Sequence, residues 1–383
     1  MKVTVGVARC AGYEPAHVQA AVRKAVERAG GLPAVGGKRA LIKPNLLGDP
    51  RPGRGVNTHP EVLRATIRLF KELGAEPFVA ELPGIGPDSR VKEAVSEAEA
   101  VCRDEGVEFR LFKGREFRRV EIDGAVLSEL HLPGDVLDAE FIVSLAKLKT
   151  HMLTTVTAAV KNLFGCLPFF ERKKLHAFGA RDKFAHALLD ILKAVRPDFS
   201  IIDAVDAMEG RGPSDGRVVR LGYIVAGADA VAVDSTACLL AGWNPQEIHH
   251  LSFADERGLG TSNAKKINIV SDDEIRPAKL ALPPTSTSLA RHAPGWVHRI
   301  IYTLWKVQPK ILEDKCTGCG TCAAACPTNA ITIIDEKAVI DRSKCIECFC
   351  CQELCPYGAV GEKLGIVTRL VEAWRGVQNK VSS

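Results

Sequence analysis

A run of cysteines near the C-terminus constrains the fold of this chain more than any other feature. Residues 316–360 hold nine of the thirteen cysteines, and the spacing C-x2-C-x2-C-x3-C followed by proline occurs there twice. Three thiolates separated by two residues can surround one corner of a [4Fe-4S] cubane, and the fourth ligand must come from elsewhere. The segment therefore predicts two four-iron sites. Its two runs are Cys316, Cys319, Cys322 and Cys326, and Cys345, Cys348, Cys351 and Cys355.

The spacing resembles the signature of bacterial-type ferredoxins, in which the fourth cysteine of each run binds the other cluster. Gly318 and Gly320 allow the backbone to bend around inorganic sulfide and to point N–H groups at it. Cys350 lies outside the pattern, and we expect it to pack beside a cluster rather than to bind one. The resemblance implies that one cluster is held by Cys316, Cys319, Cys322 and Cys355. It implies that the second is held by Cys345, Cys348, Cys351 and Cys326.

Zinc and disulfide interpretations fit these cysteines less well. A structural zinc site usually has two separated C-x2-C pairs, not four cysteines in a row twice. A disulfide framework needs an oxidising compartment, whereas the N-terminal sequence MKVTVGVARC is not a signal peptide. Free thiols and oxygen-sensitive clusters instead predict a reducing, cytoplasmic location. Single cysteines are usually buried apolar residues, and four are isolated in this way: Cys10, Cys102, Cys166 and Cys238.

The composition is that of an ordinary soluble protein. Of the 383 residues, 46% are hydrophobic and 25% are charged, and the length suffices for two domains. The net charge of +5 does not indicate a nucleic-acid partner, which would require clustered Lys and Arg. No run of 18 apolar residues is present, so the sequence predicts no transmembrane segment.

Apolar strands alternate with amphipathic helices before the cysteine segment. The predicted strands include KVTVGVA, RALIKPN and EPFVAEL, and the predicted helices include PAHVQAAVRKAVERAGG and HPEVLRATIRLFKELGA. This alternation predicts an α/β fold with a mainly parallel sheet that carries helices on both faces. The cysteine segment adds a small α+β, ferredoxin-like iron–sulfur domain.

We expect the chain to divide into four parts. Residues 1–280 form the α/β domain, and residues 281–311 form a linker rich in Pro, Ser and Thr followed by a helix. Residues 312–360 form the two-cluster domain, and residues 361–383 form a C-terminal helix. We interpret both helices as packing the small domain onto the large one, with an interfacial or partner-docking surface as the alternative.

Polar residues follow the predicted strands of the large domain. Ligands of parallel sheets bind beyond the carboxyl ends of the strands, so we expect these residues to converge on one cleft. The residues expected to carry catalysis are Lys147, Lys149, His151 and Lys161. The residues expected to bind a cofactor or ligand are Lys43, Asn45, His59, Asn162, Asp203 and Glu209.

The charges in this set predict the kind of occupant. The lysines and histidines suit a phosphate or a carboxylate, whereas Asp203 and Glu209 can hold a hard cation or act as a general base. No G-x-G-x-x-G follows a strand and no Walker motif is present, so no dinucleotide fingerprint is found. Many flavin sites lack a short motif. The additional occupant is therefore an anion, a metal or a flavin.

The order of these motifs resembles domain-of-unknown-function family 362, which is commonly fused to a C-terminal bacterial-type ferredoxin. The resemblance spans residues 38–270 and 312–360. It implies an iron–sulfur protein of prokaryotic type with a redox role, and it implies no particular substrate. The motifs that carry it are LIKPNLL, THP, VSLAKLKTH, TAAVKNLFGC, IIDAVDAMEGRGP and GADAVAVDSTA.

The favoured function is an iron–sulfur oxidoreductase, or the electron-transfer component of one, whose two clusters feed electrons to an anion in the cleft. A redox partner protein and a small anionic ligand are the expected partners. The alternative is a non-catalytic electron carrier, or a cofactor or metal assembly factor, whose large domain binds a partner. Oxidation by a small molecule in a single turnover would distinguish the enzyme from the carrier.

Overall fold

A computed structural model describes residues 2–48, 55–84, 89–112, 117–178, 181–285 and 307–365 of the chain. The strands of the large domain are β1 (Val3–Arg9), β2 (Arg39–Pro44), β3 (Glu76–Glu81), β4 (Phe109–Leu111), β5 (Phe117–Glu121), β6 (Glu129–Pro133), β7 (Phe141–His151), β8 (Thr155–Thr157), β9 (Phe199–Glu209), β10 (Arg217–Gly227) and β11 (Ile267–Val270). Its helices are α1 (Pro15–Arg28), α2 (Pro60–Glu72), α3 (Ser89–Glu105), α4 (Gly134–Leu137), α5 (Ala159–Asn162), α6 (Phe169–His176), α7 (Arg181–Val195), α8 (Ala230–Leu240) and α9 (His249–Glu256).

The main sheet of the described residues has nine strands, with main path β11-β1-β10-β9-β7-β2-β3-β4, and β8 pairs with β7. Neighbouring strands from β9 to β4 run parallel, as do β1 and β11. The strand β10 is antiparallel to both of its neighbours. The prediction of a mainly parallel α/β sheet is therefore confirmed, with β10 and the short β8 as antiparallel members.

Two apolar layers cover the sheet, one on each face. Apolar residues of α1, α2 and α3 pack on the first face, and those of α5, α7, α8 and α9 pack on the second. All residues of β7 and β9 are buried, as expected for central strands covered on both sides. Side chains of a strand alternate between its faces, so neighbouring positions of β7 contact different helix layers.

The small domain contains two antiparallel strand pairs and two short helices. Its elements are β12 (Val307–Ile311), α10 (Thr321–Ala325), β13 (Ile331–Ile334), β14 (Lys337–Ile340), α11 (Cys350–Glu353) and β15 (Val360–Leu364). The strand β12 pairs with β15, and β13 pairs with β14.

The ends of the small domain correct two sequence predictions. Residues 307–311, predicted within the linker and helix, form β12, and residues 361–364, predicted within the C-terminal helix, belong to β15. Each strand supplies the hydrogen-bond partner that the other requires, so pairing overrides helical periodicity there. The other residues of both predicted helices lie outside the described residues, apart from Gly365.

The small domain packs against the large one through an apolar contact and polar bonds. Met152 of the large domain clusters with Val307 and Phe349 of the small domain. The ammonium of Lys173 donates to the carbonyl of Ala324 over 3.2 Å. Within the described ranges, no helix has the length and apolarity needed to cross a membrane.

Candidate metal centres and ligand cleft

The eight cysteines of the two runs separate into two crossed groups. Each group lines its own space in the small domain. The grouping is the one that the ferredoxin-type spacing implies. The first space is lined by Cys316, Cys319, Cys322 and Cys355. The second is lined by Cys326, Cys345, Cys348 and Cys351.

These cysteines fit cubane clusters better than single metal ions. In the part of the chain that the structure describes, no three Cys, His, Asp or Glu side chains are grouped to hold one ion. The thiols instead line two separate spaces, four cluster cysteines to each. The N–H of Ala330 lies 3.1 Å from Cys326 Sγ, and the N–H of Ala359 lies 3.2 Å from Cys355 Sγ. These bonds occupy the same place in each run and suit thiolate ligands, whose hydrogen bonds tune cluster potentials.

Both cysteine loops use left-handed backbone at two equivalent positions. In the first run these are Gly318 and Gly320, with φ angles of 68° and 79°. A Cβ on Gly318 would lie 2.4 Å from the carbonyl oxygen of Glu336, so that position requires glycine. In the second run Glu347 and Phe349 adopt φ angles of 58° and 61°. Phe349 is buried, so its packing against the large domain compensates for the strained backbone.

The two cluster sites differ in their exposure. Cys319 of the first site is exposed, and the exposed side chain of Tyr357 lines the same space. The second site lies at the domain junction, because its loop carries Phe349 into contact with Met152. The first site thus faces solvent and the second faces the large domain.

A cleft lies beyond the carboxyl ends of β2, β3 and β7, between the two domains. Its cavity volume is about 80 Å³, which is room for a few water molecules or a small anion. Six of the residues proposed from sequence line it, namely Lys43, Asn45, Lys149, His151, Lys161 and Asn162. Residues outside the proposed catalytic and binding set also line it, including Glu81, Thr157, Arg172, His176, Cys350 and Glu353.

A buried ion pair forms one wall of the cleft. The ammonium of Lys43 lies 2.5 Å from a carboxylate oxygen of Glu81, and both side chains are almost completely buried. The amide of Asn162 accepts from Lys43 Nζ and donates to the Lys43 carbonyl and to Ser144 Oγ. A Cβ on Gly165 would lie 2.6 Å from Lys43 Nζ, so glycine makes room for the pair. This lysine is therefore neutralised within the protein.

Lys161 is placed differently, as a buried cation without a carboxylate partner. Its helix α5 is anchored by Asp234, whose carboxylate accepts the N–H groups of Ala159 and Val160 over 2.6 and 3.0 Å. Lys161 Nζ lies 4.3 Å from the centre of the Phe164 ring, and it has no ion pair within the described residues. Burial lowers the pKa of Lys161. A bound anion would relieve that desolvation cost.

Lys149 and His151 present further donors to the same cleft. Lys149 Nζ donates to the carbonyl of Val56 over 2.5 Å, and burial lowers its pKa to about 7. His151 Nδ1 accepts the N–H of Leu153 over 3.1 Å, so a neutral His151 carries its proton on Nε2. That Nε2 has no hydrogen-bond partner among the described side chains and backbone groups. It is available to donate to a ligand oxygen.

A carboxylate of the small domain enters the cleft beside these donors. Glu353 Oε2 lies 3.6 Å from His151 Nε2, just beyond hydrogen-bond distance. Burial raises the pKa of Glu353, but the nearby His151 and Lys161 outweigh burial and hold that pKa well below its usual value. The carboxylate therefore stays ionised and balances part of the positive charge.

The helix α6 closes another side of the cleft. The guanidinium of Arg172 donates to the carbonyls of Leu167 and Leu82, each over 2.8 Å, which fixes the helix to the loops beneath it. His176 packs against Phe164, and burial lowers its pKa to about 3, so its imidazole is neutral. Its Nδ1 is unpartnered within the described ranges. The cleft thus contains several buried polar atoms suited to a polar ligand.

Three of the proposed residues lie in a separate cluster on the opposite face of the sheet. Lys147 Nζ lies 2.9 Å from Asp203 Oδ2 and donates to the hydroxyl of Tyr13 over 2.8 Å. The Tyr13 hydroxyl donates to Asp203, and the His59 ring stacks on Tyr13 with centroids 3.6 Å apart. Lys43 pairs in register with Ser144, three residues before Lys147, so side-chain alternation turns the two lysines to opposite faces.

Glu209 also lies away from the cleft. Its carboxylate pairs with Arg217 and accepts the N–H of Ala281 over 2.6 Å. Asp203 is likewise occupied by Lys147 and Tyr13. The expectation that these two carboxylates face the same site as the cleft lysines is therefore wrong. Both satisfy neighbouring groups of the large domain instead.

Two cysteines that are not predicted cluster ligands, Cys350 and Cys166, lie near the cleft in different surroundings. Cys350 lines both the cleft and the second cluster space. Cys166 is buried in the apolar layer under the cleft, and burial raises its pKa to about 12. Cys166 is therefore a protonated core residue, whereas Cys350 lies between the cleft and the second cluster space.

Some of the unpredicted residues carried a signal in the sequence and others did not. Glu81 ends β3, and Tyr13 follows β1, so the rule of strand carboxyl ends applies to both. Arg172 lies within a helix in a run of charges, which usually indicates a solvated face. Glu353 enters the cleft only because of the way the domains pack, and no local pattern encodes that packing.

The fold and these sites define an α/β protein that carries an iron–sulfur module. A family model described as "Domain of unknown function (DUF362)" matches residues 40–239, and one described as "4Fe-4S dicluster domain" matches residues 315–359. The chain belongs to the DUF362 family, and its C-terminal dicluster domain supports an iron–sulfur electron-transfer role.

One relative matches about two thirds of the chain, and others match a short part of its small domain. The thylakoid-associated protein sll1697 of Synechocystis sp. is 32% identical over 269 residues, covering 69% of this chain and 83% of that protein. A ferredoxin-like protein in nif region of Sinorhizobium fredii is 51% identical over 35 residues, covering 9% of this chain and 55% of that protein. The lactate racemase apoprotein of Thermoanaerobacterium thermosaccharolyticum superposes with a TM-score of 0.40 and 13% identity, covering 61% of this chain and 56% of that one.

Proposed function

We propose that the protein is an iron–sulfur oxidoreductase, or the electron-transfer component of one, that passes electrons to a small anion bound in the cleft. [4Fe-4S] clusters supply one-electron transfer when bound. The observation that carries the proposal is the position of Cys350, whose side chain lines both the cleft and the second cluster space. One residue, Cys350, would therefore separate a ligand in the cleft from the second cluster.

The polar lining supports an anion as the occupant. Lys161 is a buried cation with no carboxylate partner among the described residues, and the Nε2–H of His151 is an unused donor beside it. Charge-assisted bonds from ammonium and imidazole groups suit the oxygens of a carboxylate or phosphate. A metal ion has less support, because the described side chains provide no group of three metal ligands.

The exposure of the first cluster site supports electron entry from a partner protein. Cys319 is exposed, and Ile333 and Tyr357 present exposed apolar surface around the same space. We propose that a redox protein docks there and that the second site serves the cleft. Free cysteines and iron–sulfur chemistry suit a reducing compartment, and we place the protein in the cytoplasm as part of this proposal.

Single-turnover oxidation tests the proposal. Reconstituted protein is reduced at an electrode and mixed anaerobically with nitrite, sulfite or small 2-oxo acids, while cluster absorbance is followed. We expect at least one anion to reoxidise the clusters, and Lys161→Gln to abolish that reaction while the exposed control Lys265→Gln preserves it. Mass spectrometry of anaerobically purified protein would identify a bound anion, metal or flavin.

A second candidate function is a non-catalytic electron carrier or assembly factor whose large domain binds a partner. It is favoured by Glu353, because an internal carboxylate already balances part of the positive charge of the cleft and suits a contact that docks the two domains. A carrier would be reoxidised by a protein acceptor and by none of the anions. That outcome would overturn the enzymatic proposal.

A further inference from the structure

Glu353 lies between the ligand cleft and the second cluster site. It lies on α11, the short helix that also carries Cys350 and the cluster cysteine Cys351. Its carboxylate enters the cleft and lies 3.6 Å from His151 Nε2. One short helix thus contributes to both the second cluster site and the cleft wall.

The same donors face Glu353 and any bound anion. Lys149, Lys161 and His151 line the cleft together with this carboxylate. A ligand oxyanion would therefore share its cations with Glu353. Negative charge added on the cluster side of the helix would oppose that ligand, because like charges repel strongly where water is largely excluded.

We propose that Glu353 couples the cleft to the second cluster site, so that oxyanion binding and reduction of that cluster disfavour each other. This inference rests on the proposed anion cleft and concerns its regulation. In the coupled step one electron from the electrode is added to the cluster, and neither Glu353 nor the anion gains or loses a bond. By linkage, the factor by which reduction weakens the anion equals the factor by which the anion opposes reduction.

The consequence is weaker binding of the anion by the reduced protein. We expect the oxidised protein to bind inorganic sulfate about tenfold more tightly than the reduced protein, within the usual range of coupling between sites. For a one-electron couple, a tenfold ratio corresponds to a shift of about 59 mV in the midpoint potential. Sulfate should make the potential of the second cluster more negative and leave that of the solvent-facing first cluster unchanged.

Glu353→Gln tests the role of the carboxylate. Removing one negative charge should raise the potential of the second cluster and tighten sulfate binding in both redox states. Glu353→Asp should restore most of the wild-type potential, because it keeps the charge. Glu313→Gln, an exposed acidic position of the same domain, is the matched control and should change neither quantity. Iron content, measured on every variant, should be unchanged.

The experiment combines calorimetry with electrode titration followed by electron paramagnetic resonance, at constant ionic strength. The titration step that remains in Cys355→Ser, which should lose the first cluster, is assigned to the second cluster. Equal sulfate affinity in both redox states, with no shift of either potential, would overturn the coupling and leave the anion cleft intact. Absence of sulfate binding in both states would overturn the coupling together with the cleft. A Glu353→Gln potential equal to wild type would remove the role of Glu353.

Discussion

His151 of the large domain and Glu353 of the small domain face each other across the cleft, with Nε2 and Oε2 3.6 Å apart. The contact brings together a strand end of the α/β sheet and the short helix that carries the cluster cysteine Cys351. Both side chains are polar, yet both are largely buried where the two domains meet. Their meeting at the domain junction is the geometric basis for the proposed link between the second cluster site and the cleft.

Substitution of the crossing cysteines should damage the cluster of the other run. Wild-type protein reconstituted without oxygen should contain about eight iron and eight sulfide ions per chain, as two four-iron sites require. Cys355→Ser should impair the site of Cys316, Cys319 and Cys322, because Cys355 lines that space. Cys350→Ser is the neighbouring control and should retain nearly all the iron. Intact signals from the first cluster in Cys355→Ser would contradict the crossed assignment.

Loss of one partner of the buried Lys43–Glu81 pair should destabilise the large domain strongly. Lys43→Met leaves Glu81 buried without its cation, which costs about 3–5 kcal/mol in the free energy of unfolding. Adding Glu81→Gln to that variant should recover most of the loss, since no charge is then left unpaired. Urea unfolding, monitored by circular dichroism, measures the free energy of unfolding of the single and the double variant. The exposed pair Arg119–Glu129 provides the control, and Arg119→Ala should have little effect.

Sulfate binding should weaken as the pH rises above about 7. Burial lowers the pKa of Lys149 to about 7, so its ammonium loses its proton as the pH rises through that value. An anion prefers the protonated form, and the affinity should fall by up to about tenfold per pH unit if this one proton is required. Calorimetry across neutral pH, at constant ionic strength, measures the slope. Lys149→Met should flatten it, and an unchanged slope in that variant would assign the titration to another group.

The positions of the lysines show what sequence patterns can and cannot supply. The strand alternation predicts the sheet, and the carboxyl-end rule brings Lys43 and Lys161 to one edge. It cannot separate Lys43 from Lys147, because the face of each depends on the register of β2 against β7. The register also shifts between Lys147 and Lys149, which displaces Lys149 toward the cleft. No sequence pattern could indicate Glu353, because only the packing of the two domains brings it to the cleft.

The two buried lysines on opposite faces provide a matched test of the cleft. Lys161 lines the cleft without a carboxylate partner in the described part of the chain, so Lys161→Gln should remove a charge-assisted contact to the anion. Such a contact contributes about 1.5–3 kcal/mol, or roughly ten- to a hundredfold in affinity. The fold should be retained, because Lys161 makes no direct ion pair in the described part of the chain and Glu353 keeps His151 as its near neighbour.

Lys147→Gln should show the reverse pattern. It leaves Asp203 without its ammonium on the other face of the sheet, so stability should fall while sulfate affinity of the folded fraction stays near wild type. Calorimetry for affinity and thermal denaturation for stability separate the two effects. Equal losses of affinity in both variants would mean that the Lys147–Asp203 cluster reaches the ligand after all. Unchanged affinity in Lys161→Gln would remove the main reason for placing an anion in the cleft.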